Sequence, residues 1–473
     1  MTFFASLALV VVLVIRPQEI WPALDALHLL DVLTGLVVVG LLVDVALGKQ
    51  KHLYTPQLPF VGAFVVIAYL ATGLAVGTGR AIAIGDNYIA IPAIFMIAIT
   101  FGSCTLPRLR IMLWTIIVLA AFVSAVAVHQ GSVSAQCIEK RVDENGDEKP
   151  DVDTADGRVC GRGSDCIQEG EWDIEWACER IGLFKTISTG GRVRWRGQLN
   201  DPNELSVFLG GMIPLFFALG LPFRNAASNR GPSRQKLLAI LTVIAVALAL
   251  YAVILSESRG GQLVIATVFT ILFVSRFGKK GLLFAAVAAL PVLLLGGRDD
   301  AEADESSAER LELLYDGVSL VIAHPFRGVG VDQFPDQVAS PLHLSAHNSY
   351  LLAVAETGLP GFFAWSGIVW TSLKIPLTAL KRASLSPEIR AMAMALVVSY
   401  SGIFVGIFFL SFTYKQLLFV WFGLAGAFYG IMKEAEPTID VRLDWRDYVG
   451  LLLADVGVIG LLYIYTRAKG GGS

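Results

Sequence analysis

The sequence predicts an all-α, polytopic membrane helix bundle of about 12–13 transmembrane helices with two long segments outside the bilayer. Three observations lead there. The 473-residue chain is 55% hydrophobic and only 16% charged, where a soluble domain carries about 25% charged residues. Apolar runs of about 15 to 22 residues recur along nearly the whole length, and crossing a ~30 Å hydrocarbon core takes about 20 helical residues. Lysine and arginine also alternate between successive loops, a pattern that the net charge of −3 conceals.

Taken in order, an N-terminal region (1–128) holds apolar spans near 2–15, 28–47, 57–76, 82–102 and 111–128. The first lacks a basic leader and a small-residue cleavage site, so it reads as a retained span rather than a signal peptide. Residues 129–202 form a polar, cysteine-rich segment. A central region (203–296) holds spans near 203–222, 237–256, 261–275 and 281–296, and residues 297–347 form a second polar segment. The C-terminal region (348–469) holds spans near 348–373, 391–411, 416–432 and 449–466, and the final GGGS (470–473) reads as an expression scar. Cations concentrate in alternate loops, among them Lys49 and Lys51, Arg108 and Arg110, Lys279 and Lys280, and Lys381 and Arg382. The intervening short loops carry Arg16, Arg80, Arg259 and Lys415. By the positive-inside rule the first set is cytoplasmic, the N-terminus is inside, and both long segments face outward.

Connections this long are usually functional or disordered. The first contains Cys137, Cys160, Cys166 and Cys178, an even set in an outward-facing loop that reads as two disulfides with three pairings open. A zinc site would want Cys-x-x-Cys spacing, which these gaps do not supply. Cys104 falls at a cytoplasmic helix end. The same loop carries DENGDEKPDVD, in which Asp143, Asn145, Asp147 and Asp151 offer oxygens suited to a structural calcium ion. The run resembles the acidic calcium repeats of thrombospondin-like domains but has Glu148 where glycine is usual; a solvated acidic run is the plain alternative.

The second segment leads into AHNSYLLAVAETGLPG (346–361), where His347 and Asn348 stand at the mouth of an apolar helix and GLPG reads as its stop. Arg196 and Arg259 border the outer ends of spans, where an unpaired guanidinium costs about 2.5–3.5 kcal/mol at bilayer depth. Guanidinium groups bind phosphate oxygens in bidentate fashion, so a lipid pyrophosphate at the membrane face would balance these two. Arg192 and Arg194 read instead as anchors to headgroups. His343 precedes His347 by four residues, but no third metal ligand stands near. Glu356 is nine residues beyond His347, on the other side of a continuous helix, and Glu257 neighbours the arginine turn. GVGVDQF (328–334) lacks the lysine and the strand–helix context of a phosphate loop and reads as a turn.

The spacing of His347, Asn348, Gly358 and Gly361 resembles the histidine-led motif of the O-antigen ligase and polymerase superfamily. RWRGQLNDPNELS (194–206) and SESRGG (256–261) look like further signatures of that family, and RPQEIWP (16–22) is similar to polysaccharide-exporting members. The resemblance implies a glycosyltransferase of the bacterial inner membrane with its active site facing the periplasm. It would move a glycan from undecaprenyl diphosphate to an acceptor such as another glycan or the lipid A core, without a catalytic metal. It implies catalytic roles for His347, Arg196 and Arg259 and substrate-binding roles for Arg196, Arg259, Asn348 and Asn203. Membrane lipids are the other expected partners, and no nucleic acid is. Ligase is the leading expectation and repeat-unit polymerase the close alternative. A secondary transporter is more distant, since such proteins place substrate near the midplane in related halves and no internal repeat is visible.

Overall fold

A computed structural model describes residues 1–50, 53–142, 148–167, 175–220, 232–295, 300–338 and 344–469. Among them, twelve helical runs are long and apolar enough to cross a membrane. They are α1 (Thr2–Ile15), α2 (Leu29–Ala46), α3 (Leu58–Val76), α4 (Thr78–Gly102, with a π-helical turn at Asp86–Ala90), α5 (Leu106–Ser132), α6 (Pro202–Gly220) and α7 (Pro232–Leu255). There follow α8 (Arg259–Phe277) and α9 (Gly281–Leu295), joined by a 3₁₀ turn at Gly278–Lys280 and packed on each other. The extramembrane α10 (Asp300–Ala323) precedes α11 (Ser349–Leu380), α12 (Pro387–Gly406), α13 (Gln416–Ala435) and α14 (Trp445–Ala468). The chain is a polytopic all-α membrane bundle.

Burial sorts these helices into layers. In α6, α11 and α13, 83%, 78% and 89% of the spanning window is buried, whereas in α2 and α14 the figure is 22%. The first three are the interior of the bundle and the last two present leucine, valine and isoleucine outward, as at Leu42, Leu453 and Ile464. Between helices already surrounded by apolar solvent, close packing through small residues is the main attraction. Against α4, a Cβ on Gly423 of α13 would meet the Met96 carbonyl oxygen at 2.8 Å, so glycine sets that approach.

Neither long polar segment is a plain loop. The first contains an antiparallel sheet in the order β2–β1–β3, with β1 at Ala135–Val142, β2 at Glu148–Pro150 and β3 at Trp176–Arg180. Cys137 lies opposite Cys178 in the β1–β3 register, yet the bonds run Cys137–Cys166 and Cys160–Cys178. Each strand is thereby stapled to the same intervening stretch, which selects one of the three pairings left open by the sequence. In the second segment the amphipathic α10 packs on α11 and α14.

The GLPG sequence is a break inside α11 rather than its end. Gly358 has φ 67° and ψ 179°, and the helix resumes to Leu380. The disturbed backbone groups find partners in the GVG stretch. Leu359 N–H, withdrawn from the helical ladder, donates to Pro325 O at 2.7 Å. Pro360 has no N–H to offer Glu356 O. The two carbonyls so released, of Ala355 and Glu356, accept from Val329 N and Gly330 N at 2.9 Å each. The Leu359 amide and the Ala355 and Glu356 carbonyls are thereby satisfied, as buried backbone groups require. The GVG turn is therefore a strap across a broken helix.

Candidate active site

At the bundle end opposite the lysine- and arginine-rich loops lies a cavity of 660 Å³. Its walls come from the ends of α1, α6, α11 and α13, from the π-helical turn of α4 and from the strap after α10. Such volumes are typical of small-molecule sites, about 300–1,000 Å³.

His347 lines this cavity. It precedes α11 with φ 47°, a left-handed conformation that costs a non-glycine residue about 1–3 kcal/mol and persists only when the surroundings impose it. Those surroundings are the 410–415 connection. His347 N–H donates to Ser411 Oγ at 3.0 Å, and Ser349 is clamped by Leu410 O, Phe412 N and Thr413 Oγ1 at 2.6–2.8 Å. Asn348 caps α11, its Oδ1 accepting from Leu351 N at 2.9 Å, while its buried Nδ2 has no partner. Burial holds the His347 imidazole below its usual pKa, helped by the positive charge of Arg310 and opposed by Asp201. It is accordingly neutral at pH 7 and able to accept a proton. Arg16 and Asp332, also on the walls, have left-handed backbone as well, with φ 53° and 62°.

The segment 192–196 stitches the disulfide-bonded segment to the bundle. Val193 N donates to Leu255 O at 3.3 Å, Arg194 N to Gln130 Oε1 at 2.9 Å and Trp195 Nε1 to Val14 O at 2.7 Å. Arg192 and Arg194 are internal braces rather than headgroup anchors: Arg192 reaches Ser256 O and Asn203 Oδ1, and Arg194 Nε reaches Ile187 O at 2.8 Å. Asn203 thus ties the arginine segment to α6. Arg196 directs Nη1 to Glu19 O at 2.7 Å and Nη2 to the carbonyls of Phe184 and Lys185. Its neighbour Gly197 lines the cavity, but the Arg196 side chain does not. Burial lowers the Arg196 pKa against the pull of Glu19, yet a guanidinium remains charged at any working pH. Arg259 is exposed at the first position of α8, whose N-cap is Ser258. Of His347, Arg196 and Arg259, only the histidine lines the cavity.

Several wall residues carry charge. Arg16 lies over Gly197, and a Cβ there would meet its Nε at 2.4 Å. Lys415 pairs with Glu204 at 3.1 Å, and Asp201 caps α6 through Asn203 N and Glu204 N. Glu356 is 1% exposed and accepts from Phe334 N at 3.1 Å. The helical-wheel expectation put it on the other side from His347, but His347 lies outside the helix, so the wheel does not relate them. Of the calcium-ligand candidates, Asp143, Asn145 and Asp147 fall outside the described residues. Asp151 accepts from Asp153 N and Arg141 Nη1 at 3.1 and 3.2 Å. His343 also falls outside them.

Residues 244–366, from α7 into α11, match the family model described as O-Antigen ligase. Over that stretch the chain is similar to the O-antigen ligase family. The matched stretch includes Arg259, His347, Asn348, Gly358 and Gly361, and leaves the 194–206 segment outside it. A search of curated proteins finds no match. The match supports an O-antigen ligase-type function in general for this multi-pass membrane protein.

Proposed function

We propose that the protein transfers a glycan from undecaprenyl diphosphate to a hydroxyl of an acceptor sugar at the periplasmic face of the inner membrane. The observation that carries this reading is the neutral, conformationally imposed His347 on the wall of a cavity at the outer end of the bundle. His347 takes the proton of the acceptor hydroxyl as its oxygen attacks the anomeric carbon. The bond from that carbon to the diphosphate oxygen breaks, and the electron pair leaves with undecaprenyl diphosphate. Charge of oxocarbenium type develops on the sugar and negative charge on the leaving group. Arg196 and Arg259 are assigned to that leaving group because the family's pattern puts arginines at these positions; Arg196 is held in place by the carbonyls of Glu19, Phe184 and Lys185. The protein's own base and cations serve each step, and none is assigned to a metal.

The test is release of undecaprenyl diphosphate by purified protein supplied with lipid-linked glycan and acceptor, compared with His347→Ala. Transfer by the wild type and its loss in the variant support the proposal; equal activity in both removes it. A polymerase is the second reading, favoured by Arg16 of the RPQEIWP stretch lining the cavity. After gene deletion, free long glycans point to the ligase and single attached repeat units to the polymerase.

A further inference from the structure

The cavity wall carries two chemically different sets of residues. Arg16 and Lys415, the latter paired with Glu204, line it together with Asp201, whereas Asp332, Glu356, Tyr88 and Tyr414 contribute carboxyl and hydroxyl groups and no cation. In the second set hydrogen-bonding capacity is left over. Glu356 Oε1 is engaged by Phe334 N, but Oε2 is fully buried and has no partner. The Tyr414 hydroxyl is buried against the same carboxyl, and the two face each other without a well-aligned hydrogen bond. Asp332 faces the Tyr88 hydroxyl from the strap. Leaving such groups unpaired costs about as much as the hydrogen bonds they lack, and the backbone around them is built with care: the strap that carries Asp332 is fixed to the broken helix by three main-chain hydrogen bonds.

We propose that Glu356 and Tyr414, with Asp332 beside them, form a hydroxyl-binding subsite for the acceptor glycan and help decide which acceptor is glycosylated. This rests on the glycan-transfer reading above. The Glu356, Asp332, Tyr88 and Tyr414 group offers no cation to a diphosphate, so the donor's charged end belongs with Arg16 and Lys415. A neutral polyhydroxyl ligand suits these groups, because each sugar hydroxyl both donates and accepts and so can bridge the carboxyl oxygen and the phenol together. His347 lies in the same cavity, which lets a sugar held there offer its reactive hydroxyl to the base. A site built around hydrogen bonds to hydroxyls also discriminates strongly against ligands that lack them.

Glu356→Gln keeps an oxygen for Phe334 N and replaces the orphan acceptor by a donor; Tyr414→Phe removes the phenol alone. Donor and unmodified acceptor are extracted from a strain lacking the gene, and each is titrated with the other saturating. Both variants should raise the acceptor concentration for half-maximal transfer by about 10- to 100-fold, the effect of leaving one buried hydrogen-bonding group of the complex unsatisfied. The donor concentration for half-maximal transfer should not change. A shift in the donor value instead, which would place the donor's sugar there, overturns the inference, and so does no shift in either. If the wild type transfers and His347→Ala does not, a null result at Glu356 and Tyr414 defeats only this inference; no transfer by the wild type defeats both. Melting curves matched to the wild type separate lost recognition from lost folding.

Discussion

Gly358→Ala tests the strap across α11 most sharply. Position 358 sits at φ 67° with ψ 179°, a region that only glycine occupies comfortably and that costs other residues about 1–3 kcal/mol. A Cβ there would meet Phe326 O at 2.4 Å and Phe326 C at 2.5 Å. Both are backbone atoms that cannot turn aside, so the strap must lift. Lifting it breaks the bonds Leu359–Pro325, Val329–Ala355 and Gly330–Glu356, each worth about 0.5–1.5 kcal/mol net. Together the loss is about 2.5–7.5 kcal/mol. Gly457→Ala in α14 is the control, since a Cβ there meets nothing within 4 Å and alanine gains about 1 kcal/mol over glycine in a helix. Thermal unfolding in detergent, followed by tryptophan fluorescence, should show Gly358→Ala melting well below the wild type and Gly457→Ala at or above it. Equal melting of the two variants would refute the strap.

Three further outcomes follow from the site and its support. Because burial and Arg310 lower the His347 pKa, transfer should persist on the acid side until the pH drops beneath the ordinary histidine value of about 6.5. An acid limb centred above that value counts against His347 as the neutral base. Peptide mapping without reduction should recover Cys137 linked to Cys166 and Cys160 linked to Cys178; a Cys137–Cys178 peptide contradicts the fold of the disulfide segment. Arg196→Lys should lower the melting temperature and suppress transfer nearly as far as Arg196→Ala, because a compact ammonium cannot span the carbonyls of Glu19, Phe184 and Lys185 as a planar fork does. Near-normal transfer by the lysine variant would show that charge alone suffices.

The membrane bundle was legible because apolar runs and loop cations are local signals, and a span needs only length and hydropathy to be recognised. α10 was not, since its charged first turns read as a polar loop and its packing on α11 and α14 is a tertiary fact. His347 and Asn348 stood out by composition and spacing, but the meaning of GLPG did not. Gly358 and Pro360 look like a helix stop until the GVG stretch, about thirty residues earlier, is seen to supply the missing hydrogen-bond partners. Glu356 was misplaced for a related reason: counting turns assumes one helix, and His347 precedes the helix in a left-handed conformation. The other wall residues come from distant segments. Arg16 and Lys415 carried a weak signal as lone cations in short outer loops. Asp332 and Tyr414 carried none, because the folding of the strap and of the 410–415 connection brings them to the cavity. The arginine segment shows the reverse, since its residues stood out by type while their partners, mostly backbone carbonyls, have no sequence signature.

The most direct test of the central claim is the amount of undecaprenyl diphosphate released per enzyme by purified wild-type protein and by His347→Ala, with lipid-linked glycan and acceptor both present. The account predicts acceptor-dependent release by the wild type and a fall of at least about 100-fold in the variant, in line with the contribution of general-base catalysis. Undiminished release by a folded His347→Ala protein would contradict it.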